Sequence, residues 1–188
     1  MQTEDNQRIK ARLKGKFRTK EIKSTNPVAV GDRIQFDWEG EEGIIHTIEP
    51  RKNYIIRRSI NLSKQVQIIA ANIDRLFLLI TIKNPITTRG FVDRFLVGAE
   101  AYRIPTTLVY NKVDLLQTEA EKVELEQWKA IYGQIGYEQL EVSAVSGLGV
   151  EAVRSQMKNS ISIFSGHSGV GKSTLINALD SNFNLRVN

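Results

Sequence analysis

The chain has no cysteine. This excludes disulfides and thiolate metal sites within it, and it agrees with a reducing compartment. Two histidines leave too little to build a zinc hydrolase centre or a Ser/His/Asp constellation. Long apolar runs are also missing. The strongest, around Leu76 to Ile82, is far too short to cross a bilayer. Met1-Gln2-Thr3-Glu4-Asp5 has no basic segment followed by an apolar one, so no secretory leader is visible. No internal repeat or low-complexity tract occurs. These absences point to a cytoplasmic protein with no membrane partner. What remains is ordinary for a globular chain: 188 residues, 41% hydrophobic and 25% charged, enough for one generous domain or two small ones.

The net charge of +5 is unevenly placed. Residues 1–70 hold 14 Lys/Arg against 9 Asp/Glu, whereas residues 71–188 hold 12 of each. A basic region beside a neutral one suits a polyanionic partner; a solvated, lysine-rich surface accounts for it equally well.

Residues 1–70 read as β structure. Arg8 to Phe17 alternates basic and apolar residues, and Val28 to Phe36 is rich in strand formers. Glu39-Gly40-Glu41-Glu42-Gly43 is a polar turn, and Gly43 to Ile48 returns as a strand. Tyr54 to Arg58 and Gln65 to Ile69 add two more. Short strands at close spacing, with no helical period, predict a small OB-type barrel over residues 1–70. After Ala70 the pattern changes. Leu76 to Ile80 is a continuous apolar run, as in a strand buried on both faces, and Thr106 to Tyr110 is a strand that ends at Asn111. Phe91, Phe95, Ala99 and Tyr102 recur at helical spacing. Thr118 and Glu121 form a capping box opening a charged helix, with Val123, Trp128, Ile131 and Ile135 as its inward positions. Leu140 to Val142 is a strand, Val150 to Met157 a helix, and Ile161 to Phe164 a further strand. Strands alternating with helices predict a parallel α/β domain over residues 71–188.

Gly166-His167-Ser168-Gly169-Val170-Gly171-Lys172-Ser173 is a complete G-x-x-x-x-G-K-[ST] phosphate loop, led in by a strand and out by a helix. Its glycines let backbone N–H groups close around phosphate oxygens. Lys172 would reach the β and γ phosphates, Ser173 would ligate Mg²⁺, and the following helix, with Thr174 in its first turn, turns its positive end to the anion. Asn111-Lys112-Val113-Asp114 follows an apolar strand. The Asp114 carboxylate could accept from guanine N1–H and the exocyclic amine, a pair that adenine lacks. Alone, Asp114 reads as a helix cap; its place after a strand favours a ligand-binding loop. Ser143-Ala144, also after a strand, matches a third nucleotide motif in which the Ala144 N–H would donate to guanine O6, though alone it is an ordinary Ser/Gly turn. His167 occupies a position the motif leaves free. It reads as a loop residue, or else as a γ-phosphate or switch contact. His46, on a predicted strand, calls for no function. Phe17, Phe36, Trp38 and Tyr54, mixed with Arg12, Lys14, Arg18, Arg57 and Arg58, read either as barrel core or as a face that stacks bases and binds phosphates.

The base-reading motif precedes the phosphate loop, the reverse of the order in ordinary small GTPases. With that inversion the chain resembles the RsgA (YjeQ/YloQ) family of circularly permuted GTPases. The match runs through Val30-Gly31-Asp32, Pro50 to Arg58, Ala70 to Asp74, Phe91 to Phe95, Asn111 to Asp114 and Phe164 to Asn177. The resemblance implies an OB domain that contacts ribosomal RNA, and a permuted P-loop GTPase domain stimulated by the small (30S) ribosomal subunit. It also implies a role in late maturation of that subunit, with GTP/GDP and Mg²⁺ as ligands, and the chain is expected to be a monomer. The family's pattern also includes an earlier strand, a switch threonine, a D-x-x-G segment and a C-terminal zinc domain. None of these is in this sequence, so the chain reads as truncated at both ends. It is expected to bind nucleotide weakly by itself; no zinc ligand and no water-positioning catalytic residue can be named. The alternative is an RNA-binding module whose nucleotide site only sets conformation. A metabolic P-loop kinase is disfavoured by the Asn111 to Asp114 motif.

Overall fold

The structure is a computed structural model. It describes residues 1–5, 7–14, 27–58 and 66–187, with only the backbone for Arg57, Arg58 and Val66. The chain divides into two compact units, Met1–Ile73 and Asp74–Asn188.

The first unit is built from short strands. β2 (Ile34–Glu39) and β3 (Glu42–Ile48) form a hairpin whose two-residue turn places Gly40 at φ 65°, a conformation glycine adopts at little steric cost. β1 (Ala11–Leu13) lies parallel to β3 on its other side. β4 (Tyr54–Arg58) and β5 (Val66–Ala71) make a separate antiparallel pair. An isolated bridge joins Val30 to Ala70. Among the described residues, the strand expected from Arg8 to Phe17 is a strand at β1 alone; Phe17 lies outside the described residues, as do Arg18 and Gln65.

The strand expected over Val28 to Phe36 begins only at Ile34. Hydrogen bonding overrides β propensity in the residues before it. The Asp32 carboxylate accepts from the Ala29 N–H at 2.8 Å and receives Arg51 in two parallel bonds of 2.6 Å, Nε to Oδ1 and Nη2 to Oδ2. Arg51 Nη2 also donates to the Pro27 carbonyl at 2.8 Å. The Asp32 side chain is 1% exposed and that of Arg51 11%, so this charge pair is a buried one. Two asparagines add side-chain rungs. Asn53 donates to Ile73 O at 2.8 Å and accepts from Ile73 N at 2.7 Å. Asn72 donates to Gly31 O at 2.9 Å and accepts from Lys52 N at 3.0 Å.

The second unit is an all-parallel sheet in the order β8-β7-β6-β9. The strands are β6 (Arg75–Ile80), β7 (Thr106–Asn111), β8 (Glu138–Val142) and β9 (Ser162–Ser165). In register, Leu78 pairs with Leu108 on one side and Ser165 on the other. Alternate residues supply two cores. Leu78, Ile80, Leu108 and Tyr110 pack with Val92 and Leu96 of α1 (Arg89–Ala101) and with Leu125, Trp128 and Tyr132 of α2 (Glu119–Ile135). Phe77, Leu79 and Val109 pack with Val150 and Val153 of α3 (Val150–Met157) and Leu175 of α4 (Lys172–Leu179). Phe77 also stacks on Phe164 of β9 at 5.1 Å. Burying a large apolar side chain in this way contributes about 1.5–3 kcal/mol. Among the described residues, one buried side-chain nitrogen lacks a hydrogen-bond partner, the Trp128 indole N–H.

α2 corrects an expectation. Its buried stripe is Leu125, Trp128 and Tyr132, whereas Val123, Ile131 and Ile135 are exposed. Two apolar stripes interleave along this helix. The one carrying the aromatics removes more surface from water and faces the sheet. In α1 the buried positions are Val92, Leu96 and Ala99, one residue on from Phe91 and Phe95, which are partly buried at the flank. The capping box is as read: Thr118 and Glu121 each accept from the other's backbone N–H.

Candidate functional site: a crevice at the carboxyl ends of β6, β7, β8 and β9

Strand order determines where a ligand can enter. From β6 the chain winds to β7 and β8 with α1 and α2 against one face. It then returns to β9 with α3 and α4 against the other. Right-handed crossovers require that change of face when the direction of winding reverses. The loops after β6 and β9 therefore part to opposite sides, and ligands of open parallel sheets bind in such a crevice. All three motifs lie at this end: Asn111 closes β7, Ser143 follows β8, and Gly166 follows β9.

The phosphate loop connects β9 to α4. Gly166, Gly169 and Gly171 all have positive φ (141°, 82° and 92°). At two of these, space as well as conformation demands glycine. A Cβ at Gly166 would lie 2.7 Å from the Leu79 carbonyl oxygen, and one at Gly171 would collide with the Asn111 amide. Val170 between them is fully buried in the core beside Leu79 and Leu175, which anchors the loop to the sheet. Lys172 begins α4 and curls back; its Nζ donates to Gly166 O at 2.8 Å and His167 O at 2.7 Å. Burial pushes its ammonium below the ordinary lysine value. Ser173 and Thr174 follow in the first turn of α4 and are half-buried, while Ser168 is exposed.

Asn111 is buried and joins the three motifs. Its Nδ2 donates to Val170 O at 2.8 Å in the phosphate loop, and its Oδ1 accepts from the Ala144 N–H at 3.4 Å. Lys112 stands in the left-handed region at φ 64° and donates from Nζ to Gly169 O at 2.7 Å and to Asn84 O at 2.6 Å. Asp114 is exposed on the short 3₁₀ turn Val113–Leu115 that follows. Ser143 is fully buried, its hydroxyl accepting from the Ser146 N–H at 3.1 Å, which shapes the turn carrying Ala144.

The connection after β6, residues 81–88, carries none of the motif residues, yet it touches the site at several points. Besides receiving Lys112, it places the Thr87 hydroxyl 2.9 Å from His167 Nε2. Lys83 bonds Glu121 at the start of α2 at 2.6 Å. Sequence reasoning missed this segment because its only signal is its place at the carboxyl end of a buried strand.

In the first unit, Trp38 is 58% exposed and stands edge-on to Phe36 at 5.4 Å. Tyr54 is half-buried and Lys14 exposed, whereas Arg12 is paired with Glu39 at 2.6 Å. The Arg57 and Arg58 side chains lie outside the described residues, with Phe17 and Arg18. His46 lies on β3, its Nδ1 3.0 Å from the Thr47 hydroxyl. Among the described residues no group of three or more His, Cys, Asp or Glu could hold a metal ion. No helix among them is long and apolar enough to cross a membrane.

Comparison with known proteins follows the same lines. The sequence model of the family described as RsgA GTPase matches residues 48–188. A small ribosomal subunit biogenesis GTPase RsgA from Flavobacterium johnsoniae is 51% identical over 184 residues, covering 95% of this chain and 56% of that protein. Its counterpart from Bacteroides fragilis is 52% identical over 180 residues, covering 95% and 58%. Among solved structures, YjeQ from Thermotoga maritima matches with a TM-score of 0.78 and 35% identity, over 97% of this chain and 60% of that one. YloQ, described as a circularly permuted GTPase, matches with a TM-score of 0.72 and 28% identity, over 96% and 58%. The chain thus spans little more than half the length of the curated relatives it matches.

Proposed function

The chain belongs to the RsgA GTPase family, and from that premise we propose that it carries the guanine-nucleotide site of a GTP hydrolase acting in late maturation of the small (30S) ribosomal subunit. The observation that carries this reading is Asn111, whose two amide atoms tie the phosphate loop and the Ala144 turn to the base-reading loop. In this reading the N–H groups of Gly166 to Lys172 (His167, Ser168, Gly169, Val170 and Gly171 between them) surround the phosphates. The Lys172 ammonium, freed from its two carbonyls, neutralises the β and γ oxygens, and the amino end of α4 with Thr174 adds its dipole. Asp114 accepts from the guanine edge, the Lys112 stem lies along the base, and Ala144 beside Ser143 donates to O6. The donor chemistry fits Mg²⁺: Ser173, in the first turn of α4 directly after the phosphate loop, would offer a hard hydroxyl oxygen to the ion. Bound Mg²⁺ would neutralise charge on the transferring phosphoryl group. Among the described residues no cluster of His, Cys, Asp or Glu is suited to zinc.

The finer assignments belong to the same proposal. Residues 1–70 act as an OB-type domain that contacts ribosomal RNA, and residues 71–188 as the permuted GTPase domain of a monomeric, cytoplasmic protein. The positive charge of residues 1–70 also favours a second reading, an RNA-binding module whose nucleotide sets conformation with negligible turnover.

Fluorescent GDP and ATP binding to the full-length protein tests the first reading. GDP is expected to bind far more tightly, and Asp114→Ala to remove the preference; equal affinity for the two nucleotides would overturn it. GTP turnover with and without small ribosomal subunits separates the two readings. Strong stimulation supports the hydrolase; RNA binding without turnover supports the module.

A further inference from the structure

We infer that Thr87 is a positioning residue for the phosphate loop, acting through the His167 imidazole. The functional half of this inference rests on the nucleotide reading above; the geometric half does not.

Residues 81–87 form a loop closed by hydrogen bonds. Thr87 N donates to Thr81 O at 2.9 Å, and Thr81 N donates to the Thr87 hydroxyl oxygen at 3.0 Å. The Thr81 hydroxyl donates its proton to Pro85 O at 2.5 Å. Thr87 is 1% exposed, so its own hydroxyl proton needs an acceptor inside the protein. Two candidates are in reach: Thr81 Oγ1 at 3.5 Å, beyond the useful range, and His167 Nε2 at 2.9 Å. The proton goes to Nε2. That assignment makes Nε2 an acceptor and puts the imidazole proton on Nδ1, since a neutral ring carries one of each.

The ring is fixed in a second direction by Phe91, which meets it edge to face at 5.1 Å and 90°. His167 is in turn the second residue of the phosphate loop, and its carbonyl receives the Lys172 ammonium. Thr87 therefore reaches the lysine through one side chain and one peptide. On its other flank the same connection receives Lys112 at Asn84 O. The loop after β6 braces the site at its phosphate end and at its base-reading end together. A purely structural role for Thr87 would end at closing its own loop. The bond to His167 carries the effect into the nucleotide site, and this is what the experiment must isolate.

The test is a double-mutant cycle on GDP affinity in the full-length protein. Thr87→Val is expected to weaken GDP about 3- to 10-fold, the range of one lost neutral hydrogen bond. Thr87→Ser, which keeps the donor, restores affinity to within about twofold. In a His167→Ala background, Thr87→Val adds less than about twofold. A full 3-fold or greater loss in that background would overturn the inference. Thr87→Val also removes the acceptor for Thr81 N–H. If that variant fails to fold, His167→Phe decides, because it keeps an aromatic ring against Phe91 while removing the Nε2 acceptor. Affinity lost as in His167→Ala supports the inference, and wild-type affinity overturns it. The imidazole ¹⁵N spectrum, assigned by loss of the signal in His167→Gln, reads the geometry without nucleotide. A protonated Nδ1 in the wild type and in Thr87→Ser that becomes a mixture of tautomers in Thr87→Val supports the bond; a ring unchanged in Thr87→Val overturns it. A wild type that prefers GDP no more than ATP would defeat the nucleotide reading alone, with this spectrum still deciding the Thr87–His167 bond.

Discussion

The two units hold themselves together by different means. The second buries an apolar run on both faces of a parallel sheet, with Phe77, Leu78, Leu79 and Ile80 all inaccessible to solvent. The first has few buried apolar residues among those described, and it relies on the Asp32–Arg51 pair and on Asn53 and Asn72 used as rungs between loops. Apolar burial is non-directional, so it fixes layers and leaves loops free to carry motifs. Buried polar bonds are directional, and each is costly to leave half-made. Precision in the first unit thus resides in particular side chains. In the second it resides in packing, except at the crevice, where Asn111 repeats the polar device.

The comparison can be broken at either side. Asp32→Ala removes the carboxylate that neutralises the buried Arg51 guanidinium and is expected to destabilise the first unit by about 3–5 kcal/mol, read from urea titration. A change within experimental error would mean that the pair does not organise the unit. Leu78→Ala should cost ~2–5 kcal/mol by deletion of core volume, visible in the same titration. Asn111→Ala leaves Val170 O without its donor. It is expected to lower GDP affinity on the order of 10-fold and to cost about 1–3 kcal/mol in the same titration, the penalty of one buried group left unbonded.

The smallest effect is at Glu121. The bond from Lys83, followed by the Thr118 and Gln117 N–H groups, holds its carboxyl down at about 2 against an ordinary 4.5. A depressed carboxyl stabilises the fold above its unfolded value, and the contribution fades as pH falls from near 4.5 through about 2. Glu121→Gln should therefore lower Tm slightly at neutral pH and flatten the fall of Tm across that acid window. An equally steep fall in the variant would place the acid sensitivity elsewhere.

Legibility in the sequence followed the same division. Leu76 to Ile80 could be read as a buried strand because a run apolar at every position has few other uses, and Thr106 to Tyr110 as a strand from its β-branched and aromatic residues; they are β6 and β7. Thr118 and Glu121 are local, three residues apart, so their capping box could be read directly. The inward face of α2 could be read only at Trp128. Val123, Ile131 and Ile135 make as plausible companions to it as Leu125 and Tyr132 until the sheet they meet is known. Asp32 and Arg51 are 19 residues apart, and a charged pair at that spacing gives no periodic signal. The motif residues stood out through glycine and lysine spacing, whereas Thr87 lies 80 residues from its partner and bears no mark in its own neighbourhood.

The two tryptophans fall one to each unit. Trp38 is largely in water, while Trp128 is 2% exposed in an apolar core, with an indole N–H that meets no acceptor. Emission from Trp38 should lie toward the red and be open to dissolved quenchers; that from Trp128 should lie toward the blue and be shielded. Without any label, the chain carries two optical signals from which the melting of its halves can be followed separately.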